Sequence, residues 1–221
     1  MGAMAIDGRG RPRLEEPRRP GGTARDQILD AAAELFSTAG YANTSTRRIA
    51  EAVGVRQASL YHHFATKDDI LDALLTGTVD EPLQLAAALL AEPGPAPQRL
   101  HTLAVADATQ LCDATWNLGA LYLLPELNID RFCEFRSRRA ALRQRYRELS
   151  EAAIAECEGS PALADLPFRL VESVINIRRD SGSCAADQPW IVAEGALRVL
   201  GYDGDFAVLR ARSAQRLRGG V

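Results

Sequence analysis

The stretch Thr44–Phe64, TSTRRIAEAVGVRQASLYHHF, carries two short helical patterns on either side of a glycine. Ser45 or Thr44 can cap the first, and Ile49 and Val53 give it an apolar stripe. Gly54 stands where the backbone must turn with positive φ, and Val55, Leu60 and Phe64 continue as the buried face of the second helix. Ala50 lies four residues before Gly54 and Leu60 six after it. That spacing puts a small residue where two helices cross, a glycine in the turn and an aliphatic lock behind it, and it predicts a DNA-binding helix-turn-helix.

Working outward, Thr23-Ala24-Arg25-Asp26 is a capping box that opens a helix to about Ala39, with Ile28, Ala32, Leu35 and Phe36 on one face. Thr66-Lys67-Asp68-Asp69 repeats the device ahead of Ile70, Leu71, Leu74 and Leu75, and Pro82 predicts a break or kink before a further piece, Leu83 to Ala91. After the Pro93–Pro97 linker, helices are expected at about 98–114, 118–124, 130–157, 160–179, 187–200 and 205–217. No stretch reads as a strand. The expected fold class is all-α, with a basic arm over 1–22, a three-helix DNA-binding domain over 23–68 and a larger helical ligand-binding and dimerisation domain over 69–221.

Composition agrees with helices and excludes other classes. The 221 residues are 47% hydrophobic and only 6% aromatic, with a net charge of −3. The sum does not advertise nucleic-acid binding, but Arg9, Arg11, Arg13, Arg18, Arg19 and Arg25 outweigh Asp7, Glu15 and Glu16, in an arm whose Gly and Pro predict disorder. No apolar run approaches membrane length, so a soluble cytoplasmic protein is expected. Cys112, Cys133, Cys157 and Cys184 form no CxxC pair, and adjacent His62 and His63 point apart on a helix. No metal site and no cofactor are expected. Without a nucleophile elbow or a phosphate loop, an all-helical enzyme is a remote alternative and the expectation is no enzymatic activity.

The chain resembles the TetR family of bacterial transcriptional regulators. The resemblance rests on Arg25–Ala32, Leu35-Phe36, Gly40-Tyr41, Thr44-Ser45, Ile49-Ala50, Ala52–Val55, Leu60-Tyr61, His63-Phe64 and Lys67 with Ile70-Leu71, about residues 24 to 75. It implies that Thr44, Ser45, Tyr61, His63 and Lys67 meet the DNA backbone; hydroxyl, imidazole and amine groups can all donate to phosphate. Arg47 and Arg48 are expected to add contacts, and His62, where an aromatic residue is usual, a less secure one. Arg56, Gln57, Ala58 and Ser59 open the second helix and are the candidates for base contact.

A pseudo-palindromic operator on double-stranded DNA needs two such units, hence a homodimer. The resemblance implies an interface on the last long helices, where Val171, Val174, Ile175, Trp190, Ile191, Ala193, Ala196, Leu197 and Leu200 supply apolar groups; core packing is the alternative. It also implies a small-molecule effector that releases a repressor from DNA. The lack of an isolated cation on an apolar face favours a mostly apolar one, and its identity is not legible. His101, Asp107, Cys112, Trp116, Asn117, Tyr122, Phe132, Phe135, Asn176 and Asp180 are pocket candidates. Control by a protein partner or by abundance, without an effector, is the alternative that a tightly packed second domain would favour.

Overall fold

The computed structural model describes residues 22–219, so the basic arm lies outside the described residues. Among the described residues the chain is all-helical, without a strand. Helix α1 (Ala24–Thr38) begins at the capping box, with Thr23 accepting from the Asp26 N–H at 3.1 Å and Asp26 accepting in return at 3.2 Å. Then come α2 (Thr46–Val53), α3 (Gln57–Tyr61), α4 (Lys67–Ala91) and α5 (Ala96–Asp113). Three short 3-10 turns, Leu118–Leu123, Pro125–Asn128 and Asp130–Phe132, lead into α6 (Cys133–Cys157). After a 3-10 turn at Pro161–Leu163, α7 (Leu166–Ser181), α8 (Gln188–Val199) and α9 (Phe206–Arg218) complete the chain.

Four local expectations need correction. Helix α3 is only five residues long, and Phe64 lies beyond it, tied back by its N–H to the Leu60 carbonyl at 3.0 Å. Residues 118–123 coil as a 3-10 helix, and α6 starts at Cys133 rather than Asp130. Finally, Pro82 does not interrupt α4, which runs through it. Proline removes the N–H that would reach the Thr78 carbonyl, and Gln110 Nε2 of α5 donates to that carbonyl instead, at 3.4 Å. Thr78 Oγ1 meets the Tyr122 hydroxyl at 2.5 Å, so the gap is tied to two neighbouring elements.

The core falls into two clusters. The first gathers Ile28, Phe36, Ile49, Leu60, Leu71 and Val79 with Leu121, Leu127, Phe132 and Phe135. The second runs from Leu85 through Leu103, Tyr146, Phe168 and Leu197 to Leu209. They divide within α4, beyond Val79, so the expected boundary at 68/69 does not coincide with the division of the core. Residues from α6 and the 3-10 turns complete the N-terminal cluster, a long-range pairing with no local signature.

Two close approaches depend on absent side chains. A Cβ on Gly119 would sit 2.6 Å from Ile175, and one on Gly159 only 2.1 Å from the backbone oxygen of Leu200. Gly77, by contrast, lies mid-helix with open space around it. Gly159→Ala is expected to lower unfolding free energy by about 3 kcal/mol in urea titrations, because a backbone carbonyl has to move. Gly77→Ala should be neutral or raise it by up to about 1 kcal/mol through helix propensity.

Candidate nucleic-acid interface

The turn between α2 and α3 is built as the glycine requires. Ser45 caps α2, its Oγ accepting from the Arg48 N–H at 3.2 Å. Gly54 has φ 77° and ψ 32°, and its N–H reaches Glu51 while the Val55 N–H reaches Ala50 at 3.0 Å. This paired closure satisfies the last carbonyls of α2 and redirects the chain into α3. Leu60 is fully buried, and it pins α3 so that Arg56, Gln57, Ala58 and Ser59 all face solvent at one end.

Around that end lie Ser45, Arg47, Arg48, Tyr61, His62 and His63, all exposed. Arg47 pairs with Glu51 at 2.9 Å, and Arg48 donates to the Asn43 carbonyl at 3.3 Å. Tyr61 is 47% exposed, with its hydroxyl 3.2 Å from both Thr46 Oγ1 and Gln57 Nε2, and Gln57 Nε2 also donates to Thr46 Oγ1 at 3.0 Å. Thr46 was not among the sequence candidates. It lies eleven residues before Gln57, and only the crossing of α2 and α3 brings the two together.

Two predicted backbone contacts are placed differently. The Thr44 side chain is buried, donating to the Gly40 carbonyl at 2.9 Å and also meeting Leu35 O at 3.3 Å, so its hydroxyl faces the protein. Lys67 Nζ donates to the carbonyls of Tyr41 and Thr44 at 2.9 and 3.0 Å and sits 4.0 Å above the Tyr41 ring. The Tyr41 hydroxyl in turn donates to Asp68. Burial, then the Asp68 carboxylate, push the Tyr41 phenol well above its usual range. Lys67 is thus first an internal clamp between the α1–α2 loop and α4.

A family model for bacterial regulatory proteins of the tetR family matches residues 28–74, which contain this whole unit. The crystal structure of Mycobacterium smegmatis AmtR is 69% identical and superposes with a TM-score of 0.90, covering 92% of this chain and 98% of that one. The chain belongs to the TetR family. It is a DNA-binding transcriptional regulator of that family, and α2 and α3 form its helix-turn-helix. The curated HTH-type transcriptional repressor KstR2 of Rhodococcus jostii is 44% identical over 57 residues, which span 26% of this chain and 28% of that relative's length. The solved KstR2 of Mycobacterium tuberculosis, at 23% identity and TM-score 0.66 over 82% of this chain and 95% of that one, shares the fold.

Of the pocket candidates, Tyr122 shares a surface groove with Phe135 and a small interior space with Asp107, while the others do not join them. His101 is buried with Nδ1 2.8 Å from Ser213 Oγ, between α5 and α9; burial lowers its pKa to about 4. The Cys112 thiol hydrogen-bonds with the free thiol of Cys184, and burial followed by that contact pushes it up to about 12. Trp116 Nε1 donates to Asp30 at 3.3 Å and Asn117 Nδ2 to the Ile175 carbonyl at 2.9 Å. Phe132 and Phe135 belong to the N-terminal core, while Asn176 and Asp180 are exposed. The space bounded by Thr78, Asp107, Tyr122, Arg139, Phe168 and Glu172 is about 10 Å³, room for one water at most. A larger groove of about 570 Å³ opens at the surface between α6 and α7, lined by Tyr122, Phe135 and Phe168 beneath Arg136, Arg139, Arg143, Arg147 and Arg169. Four of these arginines are paired: Arg139 and Arg169 with Glu172, Arg143 and Arg147 with Asp165. Arg136 donates to the carbonyls of Leu127 and Ile129.

The dimer candidates also divide. Val171, Val174, Ala193, Ala196, Leu197 and Leu200 are interior to the subunit, because α7 and α8 lay that stripe against α5. Trp190 and Ile175 are half-buried, the former beside His101 and the latter over Gly119. Ile191 is 48% exposed and Leu166, not among the candidates, 39%.

Asp107 sets a pH dependence. Burial raises its pKa to about 7, opposed by a 2.8 Å hydrogen bond from Tyr146 and reinforced by the Glu172 charge. The folded chain therefore keeps a proton between about pH 4 and 7 that the unfolded chain releases, and this group's contribution to stability falls as pH rises through that window. Asp107→Asn should remove the slope. Urea titrations of both proteins should give a stability difference that changes between pH 4 and 7 and is level above.

Proposed function

We propose that the chain is a homodimeric repressor that binds a pseudo-palindromic operator with α3 of each subunit in the major groove. The observation that carries this reading is the exposed cluster Arg56–Ser59, flanked by Arg47 and Arg48 and held rigid by Leu60, the Gly54 turn and the Lys67 clamp. Arg56 is suited to guanine, Gln57 to a base amine and Ala58 to a thymine methyl. Ser45, Arg47, Arg48, His62 and His63 serve phosphates. Lys67 and Thr44 support the backbone grip by shaping the loop.

Dimerisation uses the outer faces of α7 and α8. Leu166 and Ile191 are exposed, Ile177 and Gly195 are partly exposed at helical spacing from them, and Leu170 and Val199, half-buried against the core, border the same faces. Pairing two subunits through these faces supplies the second reading head that an operator half-site spacing of about 34 Å demands.

For release from DNA, the groove of about 570 Å³ lined by Tyr122, Phe135 and Phe168 offers room for a small effector, whereas the filled space beneath it favours control through a protein partner or through abundance. The polar groups lining the 10 Å³ space satisfy one another, Tyr122 with Thr78 and Arg139 with Glu172, which leaves no room for a ligand in that space. A small effector remains the competing mode; a compound that both raises the melting temperature and frees operator DNA would establish it.

Selection of bound DNA from a random pool should enrich an inverted repeat, and failure at low salt would overturn the DNA reading. Arg48→Ala should weaken binding to all sequences alike and lower the slope of log K against log salt by about 0.9. Ile191→Glu should leave helicity unchanged, convert the dimer to a monomer in sedimentation, and weaken operator binding about 100-fold or more through lost bivalence.

A further inference from the structure

Three polar groups close a triangle where α2 crosses α3. Gln57 Nε2 lies 3.0 Å from Thr46 Oγ1 and 3.2 Å from the Tyr61 hydroxyl, and the two hydroxyls are 3.2 Å apart. The supply of hydrogens decides which way the carboxamide faces. With nitrogen inward, its two hydrogens occupy two sides and one hydroxyl hydrogen the third. With oxygen inward, both hydroxyls must donate to it, and their own oxygens then face each other with no hydrogen between. The inward nitrogen makes one more bond and avoids that repulsion. It leaves Gln57 Oε1 directed outward as an acceptor, with one hydroxyl hydrogen over for a phosphate oxygen.

We propose that Thr46 and Tyr61 are positioning residues that hold Gln57 as a single-point acceptor, so that it reads a base amine, adenine N6 or cytosine N4, without separating the two. An unrestrained glutamine uses both ends of its amide on adenine N6 and N7, and cytosine offers no equivalent pair. Here the donor end is spent inside the protein. Guanine and thymine present acceptors at that place in the groove and are rejected by Oε1. The inference rests on α3 lying in the major groove. It assigns specificity to Thr46, a residue that itself faces no base.

The test is random-pool selection with the wild-type protein and the Thr46→Val, Tyr61→Phe and Gln57→Ala variants. The wild type should enrich adenine and cytosine comparably at one position of each half-site, with guanine and thymine depleted about fivefold or more. Gln57→Ala should level that position. Thr46→Val or Tyr61→Phe frees the amide and should shift the position toward adenine over cytosine by about fivefold. On a site carrying adenine there, replacement by 7-deazaadenine, which keeps N6 but lacks N7, should leave wild-type affinity within about twofold and weaken the Thr46→Val protein about fivefold. A wild type that selects adenine alone and is sensitive to the deaza base overturns the proposal, as do Thr46→Val and Tyr61→Phe profiles identical to wild type. If Gln57→Ala changes no position while sites are still enriched, Gln57 reads no base and the proposal fails with the helix assignment intact. If no protein enriches any sequence, the major-groove reading itself is wrong.

Discussion

The Lys67 ammonium is the contact on which the arrangement of the whole molecule turns. Its two bonds to the carbonyls of Tyr41 and Thr44, and its seat on the Tyr41 ring, join the first turn of α4 to the loop that delivers α2. Because α4 then runs through both apolar clusters, one cation fixes the reading head relative to everything downstream. A charge-assisted bond of this kind is stronger than a neutral one and is directional. Arg131, reaching Asp69 and Asp72 from the segment before α6, braces the same turn from the other side.

The second half of the chain solves a different problem. Its interior carries more polar groups than a helical core needs, and the fold satisfies most of them in pairs: Asp107 with Tyr146, Tyr122 with Thr78, Gln98 with Ser213. Such pairs contribute little net stability, but a partner lost from any of them leaves a desolvated group behind. They make the interior selective about its own geometry. The same logic operates on the outer face of α6, where Arg138 bridges to Asp80 of α4 and Arg147 to Asp165 at the start of α7, so that charge spaces the helices.

Much of the N-terminal architecture was legible because its signals are local. Capping boxes at Thr23 and Thr66, the glycine at 54 and the stripe through Leu60 each determine structure within a turn or two. The cluster Arg56–Ser59 followed from the same spacing. What the chain did not disclose depends on pairing at long range. Thr44 carries a hydroxyl suited to phosphate, yet the fold turns it inward. Val171, Val174 and Leu197 are apolar whether they meet another subunit or α5, and periodicity alone does not separate these cases. Thr46 gave no sign at all, since its role exists only where two helices cross. The proline in α4 reads as a break or kink because its cost is local, whereas the compensation comes from Gln110, 28 positions on.

That proline gives α4 an uneven stiffness. Where the Thr78 carbonyl has traded an axial bond for a lateral one from α5, the helix resists bending less than on either side. About 11 residues separate Thr78 from Lys67, a lever of about 16 Å at the usual rise. A flexure of only about 10° there carries the tip about 3 Å, close to the spacing of one base pair. The least axially bonded turn of α4 therefore lies near mid-helix, at a distance from the Lys67 clamp where a small angle becomes a large displacement.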